Sequence, residues 1–420
     1  MKARIPGSKS ITNRALVLAA AAHGTSRLTA PLVSDDTVAF REALTALGVR
    51  VTTAADDASW TVTGLGRGPR GGGRIWCADA GTAARFLPPF VATGEGSYVF
   101  DGTDQLKARP LHPLTRALTR LGARITADPA AALPLAIDAD GLTGGELALP
   151  SELSSQFLSG LLMAAPLMRA PLRVRVHDLV SRPYIDMTLA LMTRFGARTE
   201  ESGNDLSVDP APYRATDLAV EPDASTASYF FAAAAVTGRQ ITVPGLGLGS
   251  LQGDLGFVDV LRKTGATVRV TDDETTVIGG PALRGGFDVD MGNISDTFMT
   301  LAAIAPLADA PITIRGIAHA RLKESDRIAA VAENLGELGV TTEVGPDRIT
   351  VVPGPTRPAR IACHRDHRIA MAFSVLGLRA PGITLDDPDC VAKTFPGFHA
   401  ELSRLFPTPF APTDDFEEHR

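Results

Sequence analysis

One short phrase recurs five times along the chain: a helical run, a glycine, then alternating β-formers. It reads LGVRV at Gly48, LGARI at Gly122, FGART at Gly196, TGATV at Gly265 and LGVTT at Gly339, at intervals of 74, 74, 69 and 74 residues. Repetition at a fixed period constrains a fold more than any other sequence feature, because each copy must be the same supersecondary unit. The glycine suits the position just past a helix, which takes a positive φ. Amphipathic runs precede it, as in Leu111–Leu121 and Asp326–Leu338, and β-formers with a turn follow it, as in Thr267–Val277. A second element has the same period. An Ala/Leu/Phe-rich run follows a polar cluster at Ser8-Lys9-Ser10, Ala80-Gly81-Thr82, Ser154-Ser155-Gln156, Asp223-Ala224-Ser225, Ser295-Asp296-Thr297 and Asp366-His367-Arg368. These runs are apolar nearly all round, which predicts helices buried in the middle of their domain. A repeat this long is not one of the common solenoids. Six copies of a β-α-β-α-β-β unit in 420 residues predict an α/β protein of two domains, three units each. The buried helices would point their N-termini into one interdomain cleft.

Composition narrows the functional classes. Hydrophobic residues make up 45% and charged residues 21%, as in a globular protein, and the net charge of −6 gives no sign of nucleic acid as partner. Cys77, Cys363 and Cys390 are far apart and lack CxxC spacing, so neither a disulfide framework nor a structural zinc site is expected. A reduced, cytoplasmic setting fits. The start, MKARIPGSKS, has no apolar signal core, and no run reaches membrane-spanning length.

An acidic protein with six helix N-termini facing one cleft would carry a local anion site, because free N–H groups and the helix dipole attract negative charge. The basic residues agree. Only six of the 41 lysines and arginines are lysine, and three of those lie in short polar motifs: Lys9 in PGSKSITNR, Lys323 in RLKESDR and Lys393 in CVAKTFPGF. Arg14, Arg85, Arg109, Arg327 and Arg368 accompany them, and arginine forks pair with carboxylate and phosphate. More than one anion is expected. GSKS lacks the full phosphate-loop pattern, Gly71–Gly73 read as a surface turn, and His364 and His367 read as structural, with no metal motif among the histidines.

These motifs resemble those of the 5-enolpyruvylshikimate-3-phosphate synthases, in the enolpyruvyl transferase family. PGSKSITNRALVLAA, DAGTAARF, SSQFLSGLL, SRPYIDMT, PDASTASYFFAAA, DMGNISDTFMTLA, RLKESDR, DHRIAMAFS and KTFPGF occur in the family's order from Pro6 to Phe398. The resemblance implies two three-unit domains closing on substrate. Residues 9–220 would form the shikimate-3-phosphate-binding domain, and 1–8 with 221–420 the other. The chain would cross near Ser8–Lys9 and Val220–Pro222, and 407–420 would be a disordered tail. It implies carboxyvinyl transfer from phosphoenolpyruvate to the 5-hydroxyl of shikimate 3-phosphate through a tetrahedral intermediate. No metal or organic cofactor is implied, and the protein would act as a monomer. The implied catalytic residues are Lys9, Asp296 and Glu324. Lys9, Ser10, Arg14, Ser154, Ser155, Gln156, Ser181, Tyr184, Asp296, His319 and Lys323 would contact shikimate 3-phosphate. Lys9, Gly81, Arg109, Gln156, Arg327, Arg368 and Lys393 would contact phosphoenolpyruvate. Lys9 and Glu324 both remain candidates for donating the proton to C3.

Two positions depart from the family pattern. Asp79 stands where Asn is usual, so an ionised carboxylate there would oppose glyphosate, the phosphonate that competes with phosphoenolpyruvate in that family. His319 also replaces a usual Asn. Two other enolpyruvyl transferases remain as alternatives. One acts on UDP-N-acetylglucosamine and carries Lys-Asn where Lys9-Ser10 stand here, with a loop cysteine that the stretch Gly94–Arg109 lacks. The other acts on a specialised-metabolism cyclohexene phosphate. The facing positive helix ends also predict a cleft that stands open when empty.

Overall fold

The protein is described here by a computed structural model, covering residues 1–127, 132–149, 155–176, 179 and 181–407. Its architecture follows from the repeat. In one unit, strand Arg70–Trp76 leads into helix Ala83–Ala92 and the parallel strand Glu95–Asp101. Helix His112–Arg120 and the hairpin strands Arg124–Ala127 and Leu135–Asp140 complete it. The sheet places the first strand beside the second and the hairpin on the second strand's other side. The same strand order recurs with Gly145–Leu149, Leu172–Val176, Thr199–Ser202 and Asp205–Val208, and again with Phe287–Asp290, Ile312–Arg315, Thr342–Val344 and Ile349–Val351. The expected β-α-β-α-β-β unit is therefore present, with the first helix of each copy crossing between parallel strands.

Two copies take the pairing partner of their first position from elsewhere in the chain. Leu218–Ala219 runs parallel to Thr25–Thr29, in the place a preceding strand would fill for the first unit. Lys2 forms a parallel bridge with Thr242, inside strand Gln240–Pro244 of the fourth unit. The N-terminus thus belongs to the second half, and residues just before 220 close the first. Among the described residues the sixth unit is a correction to strict repetition. It has strands Ala359–Ile361 and Ile383–Leu385 with helices His367–Gly377 and Phe398–Leu405, but no hairpin. The tail expected from 407 lies, beyond Pro407, outside the described residues.

The repeated glycines are where helices end. Gly48, Gly122, Gly196, Gly265 and Gly339 have φ of 84°, 100°, 92°, 94° and 82°, a region that side chains disfavour. Gly71–Gly73, read above as a turn, instead lie within strand Arg70–Trp76, because glycine lets that strand approach its partner closely. A Cβ on Gly96 would lie 1.9 Å from the Gly71 carbonyl oxygen.

Two hydrophobic cores result. One gathers residues from Ile11 to Val220, and the other gathers Ala3 with residues from Ala224 to Phe406. Helix Lys9–Ala21 is buried continuously from Ile11, and helix Ala224–Thr237 from Ala224 to Val236, as all-round apolar sequences require. The two chain passages between the cores pair with each other: Ser8 N–H donates to the Glu221 carbonyl at 2.8 Å, and Asp223 N–H donates to the Pro6 carbonyl at 2.9 Å. No helix among the described residues is long and apolar enough to cross a membrane.

Candidate active site

The polar clusters lie where the repeat predicts, at the starts of the central helices, and they meet between the two cores. Lys9, Ser10, Arg14, Gly81, Arg109, Ser155, Gln156, Tyr184, Asp296, Lys323, Glu324, Arg327 and Arg368 line one cleft. Ser154 lies outside the described residues. Lys393 reaches the same site from behind. Its Nζ donates to Asp36 Oδ1 at 2.8 Å, while Lys9 Nζ donates to Asp36 Oδ2 at 3.2 Å. Asp36 therefore bridges two lysines from opposite ends of the sequence. Ser181 and His319 do not line the cleft, but His319 Nε2 lies 2.6 Å from Ser295 Oγ and 3.3 Å from Ser181 Oγ. Burial and Lys323 push His319 down to about 4, so its ring is neutral at pH 7.

Arginines hold the carboxylates. Arg327 is 1% exposed and reaches three of them: Asp366 Oδ2 at 2.8 Å, Glu324 Oε2 at 2.8 Å and Asp296 Oδ1 at 3.0 Å. Arg368 donates to Asp296 Oδ2 at 2.8 Å, and Arg109 approaches Glu324 Oε1 at 3.4 Å from the other half. Burial works against both carboxylate charges. Arg368, Lys323 and Arg327 outweigh it at Asp296, and Arg109, Arg327, Lys393 and Lys9 outweigh it at Glu324. Both are held well below the usual carboxylate range. Burial, reinforced by the Arg327 and Arg109 charges, lowers Lys323 from its ordinary value.

The helix ends differ in what they can accept. Asp223 and Asp366 already cap theirs, taking N–H bonds from Thr226 at 2.8 Å and Arg368 at 3.0 Å. Helix Ala83–Ala92 has no side-chain cap. Two guanidiniums crowd its start: Arg85 donates to the Gly81 carbonyl at 2.9 Å, and a Cβ on Gly81 would lie 2.5 Å from Arg109 NH1. That end is a positive pocket, and a side chain at position 81 would have to push the two guanidiniums aside.

Arg14 stands differently from its neighbours. It is 1% exposed, and its fork donates to Thr188 Oγ1, Ser159 Oγ and the carbonyls of Ser10 and Tyr184 at 2.7–3.3 Å. It braces the cleft wall, and burial lowers it to about 10. Asp79 has its carboxylate partnered within the protein. Thr103 Oγ1 donates to it, and Arg365 NH2 pairs with it at 2.8 Å across the cleft.

Residues 2–402 match the family model for EPSP synthase (3-phosphoshikimate 1-carboxyvinyltransferase). The chain belongs to the EPSP synthase family. It is 43% identical over 406 residues to the 3-phosphoshikimate 1-carboxyvinyltransferase of Nostoc punctiforme, covering 96% of this chain and 95% of that one. It is 42% identical over 415 residues to the enzyme of that name from Aeromonas salmonicida, with the same coverage. The EPSP synthase structure from Acinetobacter baumannii superposes with a TM-score of 0.80 at 27% identity, over 96% of this chain and 95% of that one. The enolpyruvyl transferase NikO from Streptomyces tendae shares the fold alone, with a TM-score of 0.78 at 19% identity, over 96% of this chain and 94% of that one.

Beyond the residues expected of an EPSP synthase, the cleft also holds Asp36, Thr82 and His367. Asp36 was hidden because Ser34-Asp35-Asp36 reads as an ordinary helix start. His367, read above as structural, lines the cleft with both ring nitrogens lacking a hydrogen-bond partner, and burial keeps it neutral. Its signal was the adjacent Asp366 and Arg368 rather than any spacing of histidines.

Proposed function

We propose that this chain transfers the carboxyvinyl group of phosphoenolpyruvate to the 5-hydroxyl of shikimate 3-phosphate, releasing phosphate. The observation that carries the reading is the convergence of Lys9, Arg109, Lys323, Arg327, Arg368 and Lys393 on two partly buried, ionised carboxylates, Asp296 and Glu324, between two cores of an acidic protein. In this reading residues 9–220 bind shikimate 3-phosphate, and 1–8 with 221–420 form the second domain. The uncapped end at Gly81, with Arg109, Gln156, Lys9 and Lys393, takes the phosphate of phosphoenolpyruvate. Arg327 and Arg368 take its carboxylate. Ser10, Arg14, Ser154, Ser155, Gln156, Ser181, Tyr184, His319 and Lys323 contact or frame shikimate 3-phosphate, with Arg14 acting through the wall it braces.

Asp296 removes the proton of the 5-hydroxyl as that oxygen bonds to C2 of phosphoenolpyruvate, and C3 gains a proton. C3 then returns a proton, the C2–O bond to phosphate breaks and phosphate leaves. Glu324 is held as the anion by the arginines that the substrate's own anions would occupy. Substrate binding therefore releases Glu324 from Arg109 and Arg327 and raises its proton affinity, which suits it to exchange the C3 proton with Lys9 as the alternative donor. Fixed cations in a water-poor cleft stabilise the charge on the transferring atoms. The protein works as a cytoplasmic monomer in this proposal. Phosphate release measured with phosphoenolpyruvate plus either shikimate 3-phosphate or UDP-N-acetylglucosamine tests it. Turnover with the first alone is expected, and turnover with the second alone overturns it.

A further inference from the structure

Asp254 has no part in the chemistry above, yet it lies one hydroxyl away from the carboxylate that starts it. It sits in the short turn Gly253–Gly256 and is 3% exposed. That turn is pressed against the start of helix Arg182–Arg194: a Cβ on Gly253 would lie 2.2 Å from Pro183 Cβ, so glycine is what allows the approach. The approach brings Asp254 Oδ2 within 3.2 Å of the Tyr184 hydroxyl. The same hydroxyl lies 3.3 Å from Asp296 Oδ2. Ser225 Oγ donates to Asp254 Oδ2 as well, while Asp254 Oδ1 is buried without a partner. One phenol oxygen thus stands between a buried and a partly buried carboxylate, and it carries a single proton that can be donated to only one of them at a time.

We propose that Asp254 is a positioning residue for Asp296, acting through the Tyr184 hydroxyl as the second acceptor of its one proton. The inference rests on the carboxyvinyl-transfer reading, in which Asp296 takes the proton of the attacking hydroxyl. While both carboxylates are charged the phenol lies within reach of each, and its contact with Asp296 holds that Oδ2 in place. Once Asp296 holds the proton, its acceptor strength falls, and the phenol turns to Asp254. The phenol proton never leaves oxygen, so no atom or electron is transferred by this device. It keeps the phenol hydrogen-bonded on both sides of the proton transfer, which a single carboxylate would not do.

The surroundings agree with two unequal acceptors. The groups facing Asp254 are Asp223 and Ser225 at the start of helix Ala224–Thr237, Tyr184, Asp296 and Arg368. Burial and the Asp296 charge push Asp254 up to about 6 against the pull of Arg368. Asp296 remains well below the usual carboxylate range. Asp254 is therefore the more basic of the two, so it keeps its hold on the phenol when Asp296 takes up a proton.

A double-mutant cycle tests the proposal, with kcat and both KM values read from phosphate release with shikimate 3-phosphate and phosphoenolpyruvate. Asp254→Asn and Tyr184→Phe are each expected to lower kcat about tenfold while changing KM less than about threefold. The double variant is expected to be no slower than Tyr184→Phe alone within about twofold, because Asp254 acts only through that hydroxyl. Losses that multiply, a loss confined to KM, or an undiminished kcat in Tyr184→Phe would each overturn it. If Asp254→Asn shows no melting transition, Asp254→Ser takes its place in the same cycle, with the same expected and overturning results. A wild-type protein without turnover would refute the functional reading and this proposal together. An active wild type whose kcat ignores both variants would refute this proposal alone.

Discussion

At the scale of single residues, the cleft is a set of charges that already satisfy one another. Asp296 accepts from Arg327, Arg368 and Tyr184, so its carboxylate is both the proposed base and the counter-charge of two buried guanidiniums. Asp296→Asn keeps the volume and removes both functions. We expect kcat to fall by about 10²-fold or more, the range of a general base. We also expect the melting temperature to fall, because two buried cations lose a partner. A variant that melts lower but turns over normally would take Asp296 out of the chemistry and leave it a structural anion. Asp79 teaches the opposite lesson. Its sequence position beside Gly81 predicts a charge that opposes a phosphonate, whereas its carboxylate is compensated by Arg365 and Thr103. The Asp79–Arg365 pair is partly exposed, at 28% and 61%, and such pairs contribute about 0–1 kcal/mol. Asp79→Asn should therefore shift glyphosate inhibition at fixed phosphoenolpyruvate by no more than about fivefold. A larger gain in sensitivity would restore the charge argument.

At the scale of elements, most of the fold was legible, because each repeat announces its helix ends. The expected run Asp326–Leu338 is the helix Arg327–Glu337, and Leu111–Leu121 is His112–Arg120. All five repeated glycines took positive φ, and at Gly48 the dihedral, not space, selects glycine. At Gly48 a Cβ would meet nothing within 4 Å, yet φ is 84°. Gly48→Ala should therefore cost about 1 kcal/mol or more through the backbone alone. Gly336 is equally open to a Cβ but lies inside helix Arg327–Glu337, with no positive φ. Gly336→Ala should stabilise by about 0.5–1 kcal/mol. Urea midpoints moving in opposite directions check both, and two shifts of the same sign would mean that space rather than dihedral decides. What sequence periodicity did not disclose was borrowed structure. Leu218–Ala219 supplies a strand and Lys2 a bridge to units far from them in the chain, and Gly71–Gly73 lie in a strand whose partner glycine, Gly96, no local pattern names. The same reason hid Asp36, since its two lysine partners lie 27 and 357 residues away.

At the scale of the whole molecule, the sequence named most of the charged residues of the cleft but not which of them pair, and the pairing changes how closure works. Facing helix ends alone would repel. The contacts that cross between the two halves instead include three pairs of opposite charge: Arg109 with Glu324 at 3.4 Å, Lys393 with Asp36 at 2.8 Å and Arg365 with Asp79 at 2.8 Å. Tyr184 adds its hydroxyl to Asp254 and Asp296, and Gln105 Nε2 donates to the Glu324 carbonyl at 3.1 Å. The two apolar cores do not merge across the cleft. Closure without substrate is then an electrostatic matter, balanced against hydration of the same ions in an open cleft. Salt favours the separated, hydrated ions, since the screening length shrinks from about 10 Å at 0.1 M to about 3 Å at 1 M. Shikimate 3-phosphate and a phosphonate analogue of phosphoenolpyruvate would replace the internal carboxylates as partners of the cations and add contacts to both halves, which favours the closed form more strongly. We expect the radius of gyration of the ligand-free protein, measured by small-angle scattering, to rise between 0.1 M and 1 M salt, and that of the doubly liganded protein to stay fixed. Glu324→Gln, which weakens the Arg109 contact, should move the ligand-free transition to lower salt. A radius of gyration that ignores salt in the ligand-free protein would mean that packing around Gly253 and Pro183, rather than charge, holds the halves together.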